Sequence, residues 1–119
     1  MARIPTMGQA LVVLTNLPDV PAAQALARHL VERRLAACVN IVAGVRSMYR
    51  WQGVIEEACE VSLLIKSTQA CYTELEAAIK AAHSYQLPEI IALPVIDGWP
   101  PYLDWIEQET KKDENVQDV

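Results

Sequence analysis

The sequence predicts a single α+β domain whose strands and helices follow the order β-α-β-β-α-β, closed by a short terminal helix. Three observations carry that expectation. Short, continuous apolar runs stand at 10–15 and 90–96. Two long stretches, 36–51 and 54–67, alternate with period two on either side of Gln52-Gly53. Alanine-rich stretches at 20–35 and 69–82 repeat their apolar residues at helical spacing.

The first run, Ala10-Leu11-Val12-Val13-Leu14-Thr15, is rich in β-branched residues and reads as a strand buried on both faces. In the helix that follows, Asp19 can cap the free amides and Pro21 is tolerated in the first turn, while Ala23, Leu26, Ala27 and Leu30 form the buried stripe. The next segment switches period. Val39, Ile41, Ala43, Val45, Ser47, Tyr49 and Trp51 are expected on one face of a long strand, and Cys38, Asn40, Val42, Arg46, Met48 and Arg50 on the other, with Gly44 marking a bulge or bend. Gln52-Gly53 supplies the turn, and Val61, Leu63 and Ile65 alternate with Glu60, Ser62, Leu64 and Lys66 along the return strand. Both arms far exceed the usual strand of about 5–6 residues, so the distal hairpin extends past the core. Thr68 is the expected cap of a second helix that buries Cys71, Leu75, Ala78, Ile79 and Ala82. The loop 83–89 then leads to a strand in which Pro94, lacking an amide hydrogen, requires an edge or a bulge. Pro101 opens the closing helix, 102–109.

This order is the ferredoxin-like, split βαβ arrangement, with both crossovers right-handed and both helices on one face of a four-stranded antiparallel sheet. The domain is expected to span 10–110, with a flexible 1–9 and a polar tail, 111–119. The strands at 11–15 and 90–96, read here as the outer ones, are apolar on both faces. Six to eight large apolar side chains left on an open sheet face would forgo roughly 1.5–3 kcal/mol each, on the order of 10–20 kcal/mol in all. That rivals the whole stability of a domain, so copies of the same chain are expected to cover the face.

Composition narrows the function. Hydrophobic residues make up 52% of the 119, the formal net charge is −5 and the pI about 4.9. A chain of this charge has no footprint for phosphate backbones and is repelled by anionic membranes, which argues against nucleic-acid binding. Arg28, Arg33 and Arg34, with Glu32 beside them, read as a solvated helix face, and His29 as solvent-facing. Cys38, Cys59 and Cys71 form neither a disulfide framework nor a zinc spacing, and read as free thiols on core faces in a reducing compartment. With no secretion-signal pattern at 1–9 and no apolar run long enough for a membrane span, the expectation is a soluble, cytoplasmic protein without membrane insertion. No GxSxG and no phosphate-cradling glycine loop is present, and the expectation is a binding or regulatory module, not an enzyme. An acylphosphatase-type hydrolase on this fold needs a glycine-rich anion loop with an arginine, which Thr15-Asn16-Leu17-Pro18-Asp19 does not supply.

Four segments resemble the CutA family of divalent-cation tolerance proteins. They are Ala36-Ala37-Cys38-Val39-Asn40-Ile41, Tyr49-Arg50-Trp51-Gln52-Gly53-Val54-Ile55-Glu56, the run from His83-Ser84-Tyr85-Gln86-Leu87-Pro88-Glu89 through Pro94, and Gly98 with Tyr102-Leu103-Asp104-Trp105-Ile106. The resemblance covers about residues 10–107. It implies a ferredoxin-like protomer in a stable homotrimer similar to the PII signalling proteins, with a role in tolerance of copper and other divalent cations. A PII-like module binding a small ligand in clefts between subunits is the alternative. Copper-binding members use a cysteine at the end of the first strand and two adjacent histidines. The resemblance aligns these with Thr15, Ala82 and His83, so one imidazole alone is kept and copper or another divalent cation is expected to bind weakly at best.

His83 and Glu89 are the candidate metal contacts in the loop, with Tyr85 and Pro88 positioning it; the bland reading of His83 is a cationic cap on its helix. Tyr49, Arg50, Trp51, Val54 and Ile55 are the candidate trimer interface at the hairpin tip. Glu56, Glu57 and Glu60 read either as a solvated strand face or as an acidic cluster across subunits.

Overall fold

The computed structural model describes residue 6 and residues 8–111, so most of the expected flexible terminus and polar tail lies outside the described residues. The elements are β1 (Ala10–Leu17), α1 (Val20–Glu32), β2 (Cys38–Trp51), β3 (Val54–Thr68), α2 (Tyr72–Ala82), β4 (Ile91–Pro94) and α3 (Pro100–Glu109). The strands form one antiparallel sheet in the order β2-β3-β1-β4, which is the ferredoxin-like topology. β1 is therefore central, not outer as its place in the chain suggests. Each helix carries the chain past a neighbouring strand, so β3 and β4 dock on opposite sides of β1. The continuous apolar run of β1 suits that central place. β4 is a four-residue edge strand, three residues shorter than its apolar run, and Pro94 sits where no ladder bond is required.

The core lies between the sheet and the two long helices. Leu11, Val13 and Leu17 of β1 and Val61, Leu63 and Ile65 of β3 meet Leu26 and Leu30 of α1 and Leu75 and Ile79 of α2. Asp19 caps α1 through Oδ1, which accepts from the Ala22 amide at 2.8 Å, and all four residues of the expected stripe are buried. The helix stops three residues short of the alanine-rich stretch. Arg34 turns left-handed at φ 58°, and the amides of Leu35 and Ala36 return to the Leu30 carbonyl at 2.9 and 3.2 Å. Leu35 is buried by this turn, not by helical periodicity. Thr68 does not cap α2: a 3-10 turn, Gln69–Cys71, intervenes, and the Thr68 hydroxyl faces Cys71 Sγ at 3.6 Å. Ala82, at the far end of α2, is exposed.

The hairpin turn has Gln52 at φ 49° and Gly53 at φ 82°, the doubly left-handed geometry of a type I′ turn. Farther back, Val42 opposes Ser62 but Val45 opposes Glu60, so β2 carries one extra residue around Gly44, itself at φ 73°. This bulge overturns the expected single face of β2. Val39 and Ile41 share the helix side with Ile65 and Leu63. Beyond the bulge, Val45, Ser47, Tyr49 and Trp51 pair with Glu60, Ala58, Glu56 and Val54 on the opposite face.

That opposite face carries Val12, Leu14, Val42, Leu64, Ile91 and Leu93, none of them fully buried. α3 packs on β1 and β3 and covers one end of it. Ile106 is buried yet stands outside the main core, and the Tyr102 hydroxyl reaches Cys38, whose partner across the ladder is Lys66. The rest of the face is open. No helix among the described residues is long and apolar enough to cross a membrane.

Asp19→Ala removes the α1 cap and is expected to cost about 1 kcal/mol, seen as a lower urea midpoint with an unchanged slope. An unchanged midpoint would show the side-chain bond to be dispensable.

Candidate functional site

The end of β1, the middle of β3, the distal part of β2 and the loop after α2 enclose a groove of about 620 Å³. Asn16, Ser47, Tyr49, Trp51, Glu60, Tyr85 and Glu89 are among the residues that line it. The bulge at Gly44 creates this neighbourhood, because it turns Ser47, Tyr49 and Trp51 onto the face that carries Glu60 and Asn16.

His83 occupies the C-cap position of α2 with extended backbone, φ −83° and ψ 139°, which swings it out of the helix. Its Nε2 and the fully buried Thr15 Oγ1 share a hydrogen bond of 3.1 Å. Its other ring nitrogen, Nδ1, is buried without a hydrogen-bond partner. The ring lies 4.8 Å from that of Tyr85, tilted by 49°. Burial lowers the His83 pKa from its ordinary value of 6.5, while the Asn16 backbone carbonyl and the Glu60 carboxylate pull the other way. At neutral pH the imidazole is uncharged, and it turns to Thr15 instead of acting as a cationic helix cap.

Tyr85 is the second polar element. Burial first, then a hydrogen bond to Glu60, then the charges of Glu60, Tyr49 and Asp19 push its phenol up to about 12. The hydroxyl therefore stays protonated and donates to Glu60, a residue only 8% exposed. Thr15, His83, Tyr85 and Glu60 thus form a polar chain leading from the core to the groove.

The structure brings His83 and Tyr85 together but gives His83 Thr15, not Glu89, as its side-chain partner. Glu89 is exposed on the groove wall and Pro88 is half-buried in the loop. Tyr49, Arg50 and Trp51 line the groove; Val54 and Ile55, beside the turn, are 57% and 56% exposed. Glu60 is the residue that sequence reasoning under-weighted, since alternation along β3 placed it among solvated positions. The signal available was Gly44, a bulge marker whose re-phasing of β2 brings aromatic side chains onto the face of that carboxylate. Cys59, expected on a core face, is exposed opposite Arg46, beyond the reach of the core; Cys38 is half-buried, Cys71 is buried and all three thiols are free.

Among the described residues, no three His, Cys, Asp or Glu side chains gather in a way that could hold a metal ion. Thr15 offers a hydroxyl where a soft ion needs a thiolate, and that hydroxyl already engages Nε2. Nδ1 alone remains, enclosed by packing. These donors do not fit a tightly held resident metal.

The sequence profile described as CutA1 divalent ion tolerance protein matches residues 11–109. The divalent-cation tolerance protein CutA of Thermus thermophilus is 48% identical over 99 residues, 83% of this chain and 96% of its own length. Protein CutA of Mus musculus is 40% identical over 91% of this chain, which spans 61% of the mouse protein. A solved structure of the Thermus thermophilus divalent cation tolerance protein matches with a TM-score of 0.84 at 47% identity, over 86% of this chain and 99% of that one.

Because folding weakens the hold of His83 on its proton, the unfolded chain binds that proton more tightly. The contribution to stability is complete above the ordinary value of 6.5 and is lost as pH falls through the depressed folded value. An NMR titration is expected to give His83 a midpoint below 6.5, and His83→Gln to flatten the loss of stability between about pH 7.5 and about pH 5.5. A midpoint at or above 6.5 would contradict the burial argument.

Proposed function

Because this chain belongs to the CutA1 divalent ion tolerance protein family, we propose that it acts without catalysis, as a cytoplasmic homotrimer in divalent-cation tolerance. The single observation that carries the oligomer is the apolar sheet face left open by α3. Ile91 and Leu93 are about half exposed on it, and Ile96 and Trp99 extend the apolar surface at 66% and 73% exposure. Exposed apolar side chains grouped in this way are the kind of surface that marks contact with another protein chain. The long hairpin adds Tyr49, Arg50, Trp51, Val54 and Ile55 beyond the core, where a neighbouring protomer is the natural cover. The threefold number follows the family likeness. Three free thiols suit a reducing compartment.

The donor set limits the metal role. A copper or other divalent ion meets at most a lone imidazole at His83 and the Glu89 carboxylate, with Tyr85 and Pro88 shaping the loop between them. Contact of that kind is weak and exchangeable, so tolerance does not run through a tight store of metal in this chain. A second reading, a PII-like module that binds a small ligand in clefts between subunits, is favoured by the groove of about 620 Å³ next to the proposed contact surface.

Sedimentation velocity at micromolar concentration is expected to show one trimeric species, and the pair Trp51→Asp with Ile55→Asp to shift it toward smaller ones. A well-behaved single subunit in the unsubstituted protein would overturn the proposal. In a calorimetric titration, copper(II) is expected to bind only well above the protein concentration, with that weak heat lost in His83→Ala. Stoichiometric, tight binding would show that the donor argument is wrong.

A further inference from the structure

We propose that the groove between the distal hairpin and the 85–89 loop takes a small organic molecule bearing an ammonium group, seated with its cation on Glu60. This assignment rests on the small-ligand reading above and names the ligand class.

Glu60 lines the groove and is 8% exposed. A buried carboxylate is costly unless donors or a cation meet it. Its two oxygens can accept about four hydrogen bonds. Among the described residues, the donor found for it is the Tyr85 hydroxyl. The described lysines and arginines in ion pairs serve other carboxylates: Arg28 with Glu32, Arg33 with Glu74, Arg34 with Glu109 and Lys111 with Glu107. Arg50 lines the groove, but its register partner is Ile55, on the face opposite that of Glu60. Asn16, Ser47 and Gln86 add neutral polar groups, and Glu89 adds a second carboxylate. The remaining acceptor capacity of Glu60 therefore faces a groove with two carboxylates and one guanidinium, that of Arg50, which makes no ion pair with Glu60 among the described residues.

The aromatic side chains point to the same class. Tyr49 and Trp51 share the face of Glu60 and line the groove farther along the hairpin, opposite Glu56 and Val54, where their rings offer an amphipathic wall to the rest of the molecule. An inorganic divalent cation would need a set of ligating side chains that does not gather among the described residues. An anion would face two carboxylates against the single guanidinium of Arg50. An organic ammonium needs only a carboxylate, an aromatic wall and room, and about 620 Å³ is room enough. Tyr49 and Trp51 also belong to the surface proposed to meet a neighbour, so in the assembly this groove becomes a cleft at that contact.

The test is calorimetry on the full chain with three probes: putrescine, uncharged 1,4-butanediol of the same length, and citrate. Saturable binding of putrescine, one per protomer, is expected, with no heat from the diol or from citrate. Glu60→Gln keeps the shape and an acceptor for Tyr85, and is expected to bind putrescine at least tenfold more weakly. If that variant fails to assemble, Tyr85→Phe decides: it leaves the carboxylate its full acceptor capacity and is expected to bind at least as tightly as the parent. Equal affinity in Glu60→Gln, or a tenfold loss in Tyr85→Phe, would overturn the assignment to Glu60. Binding of citrate but not putrescine would overturn the ammonium class and keep the small-ligand reading; no heat from any probe would overturn both.

Discussion

The constraint on which this structure turns is a sheet that is apolar on two sides and roofed by helices on one. β1 and β3 lie in the centre of the sheet, and their alternation satisfies the core through Leu11, Val13, Leu63 and Ile65. The residues between them, Val12, Leu14 and Leu64, face the other way and form a second aliphatic surface, bordered by Asn16, Ser62 and Lys66. A single ten-residue helix, α3, covers one end of that face. Leaving the rest in water would forgo free energy of the same order as the net stability of a domain. The fold of the protomer and the assembly proposed for it are thus one problem, and the hydrophobic pattern of two central strands states it.

A second device, the bulge at Gly44, decides what the distal hairpin does. Without the extra residue, Tyr49 and Trp51 would lie on the helix side of the strand, beyond the last residues that α1 and α2 can cover. With it they turn to the open face, the one that carries Glu60, and line the groove beside the 85–89 loop. One glycine at φ 73° therefore sets both the walls of the groove and the surface offered to a neighbour. The two roles belong together, since a groove on the uncovered face is where protomers would meet.

The sequence made the elements, their order and the core stripes legible because each depends on local periodicity: Ala23, Leu26, Ala27 and Leu30 repeat at helical spacing, and Val61, Leu63 and Ile65 alternate. What it hid was set by relations between strands. That β1 is central follows from the crossovers, not from its composition. The face of Tyr49 depends on how many residues of β2 oppose β3, which no single strand reveals. The early end of α1 rests on one left-handed residue, Arg34, which has no glycine to advertise it. The site was legible in part for the same reason. His83 and Tyr85 share a loop and could be grouped by eye. Thr15 and Glu60 join them only through tertiary packing, at separations of 68 residues for Thr15 and His83 and of 25 for Glu60 and Tyr85.

The chemistry of the polar chain follows from where it is buried. Burial drives His83 toward its neutral form and Tyr85 toward its protonated form, so both groups that touch the core carry no charge. The formal charge that remains, on Glu60, sits at the outer end of the chain, against the groove. That ordering places neutral donors inward and the acceptor outward. It disfavours a metal held from within, where a hydroxyl and a single enclosed nitrogen are all that Thr15 and His83 present. It favours a partner that arrives from the groove and brings its own positive charge.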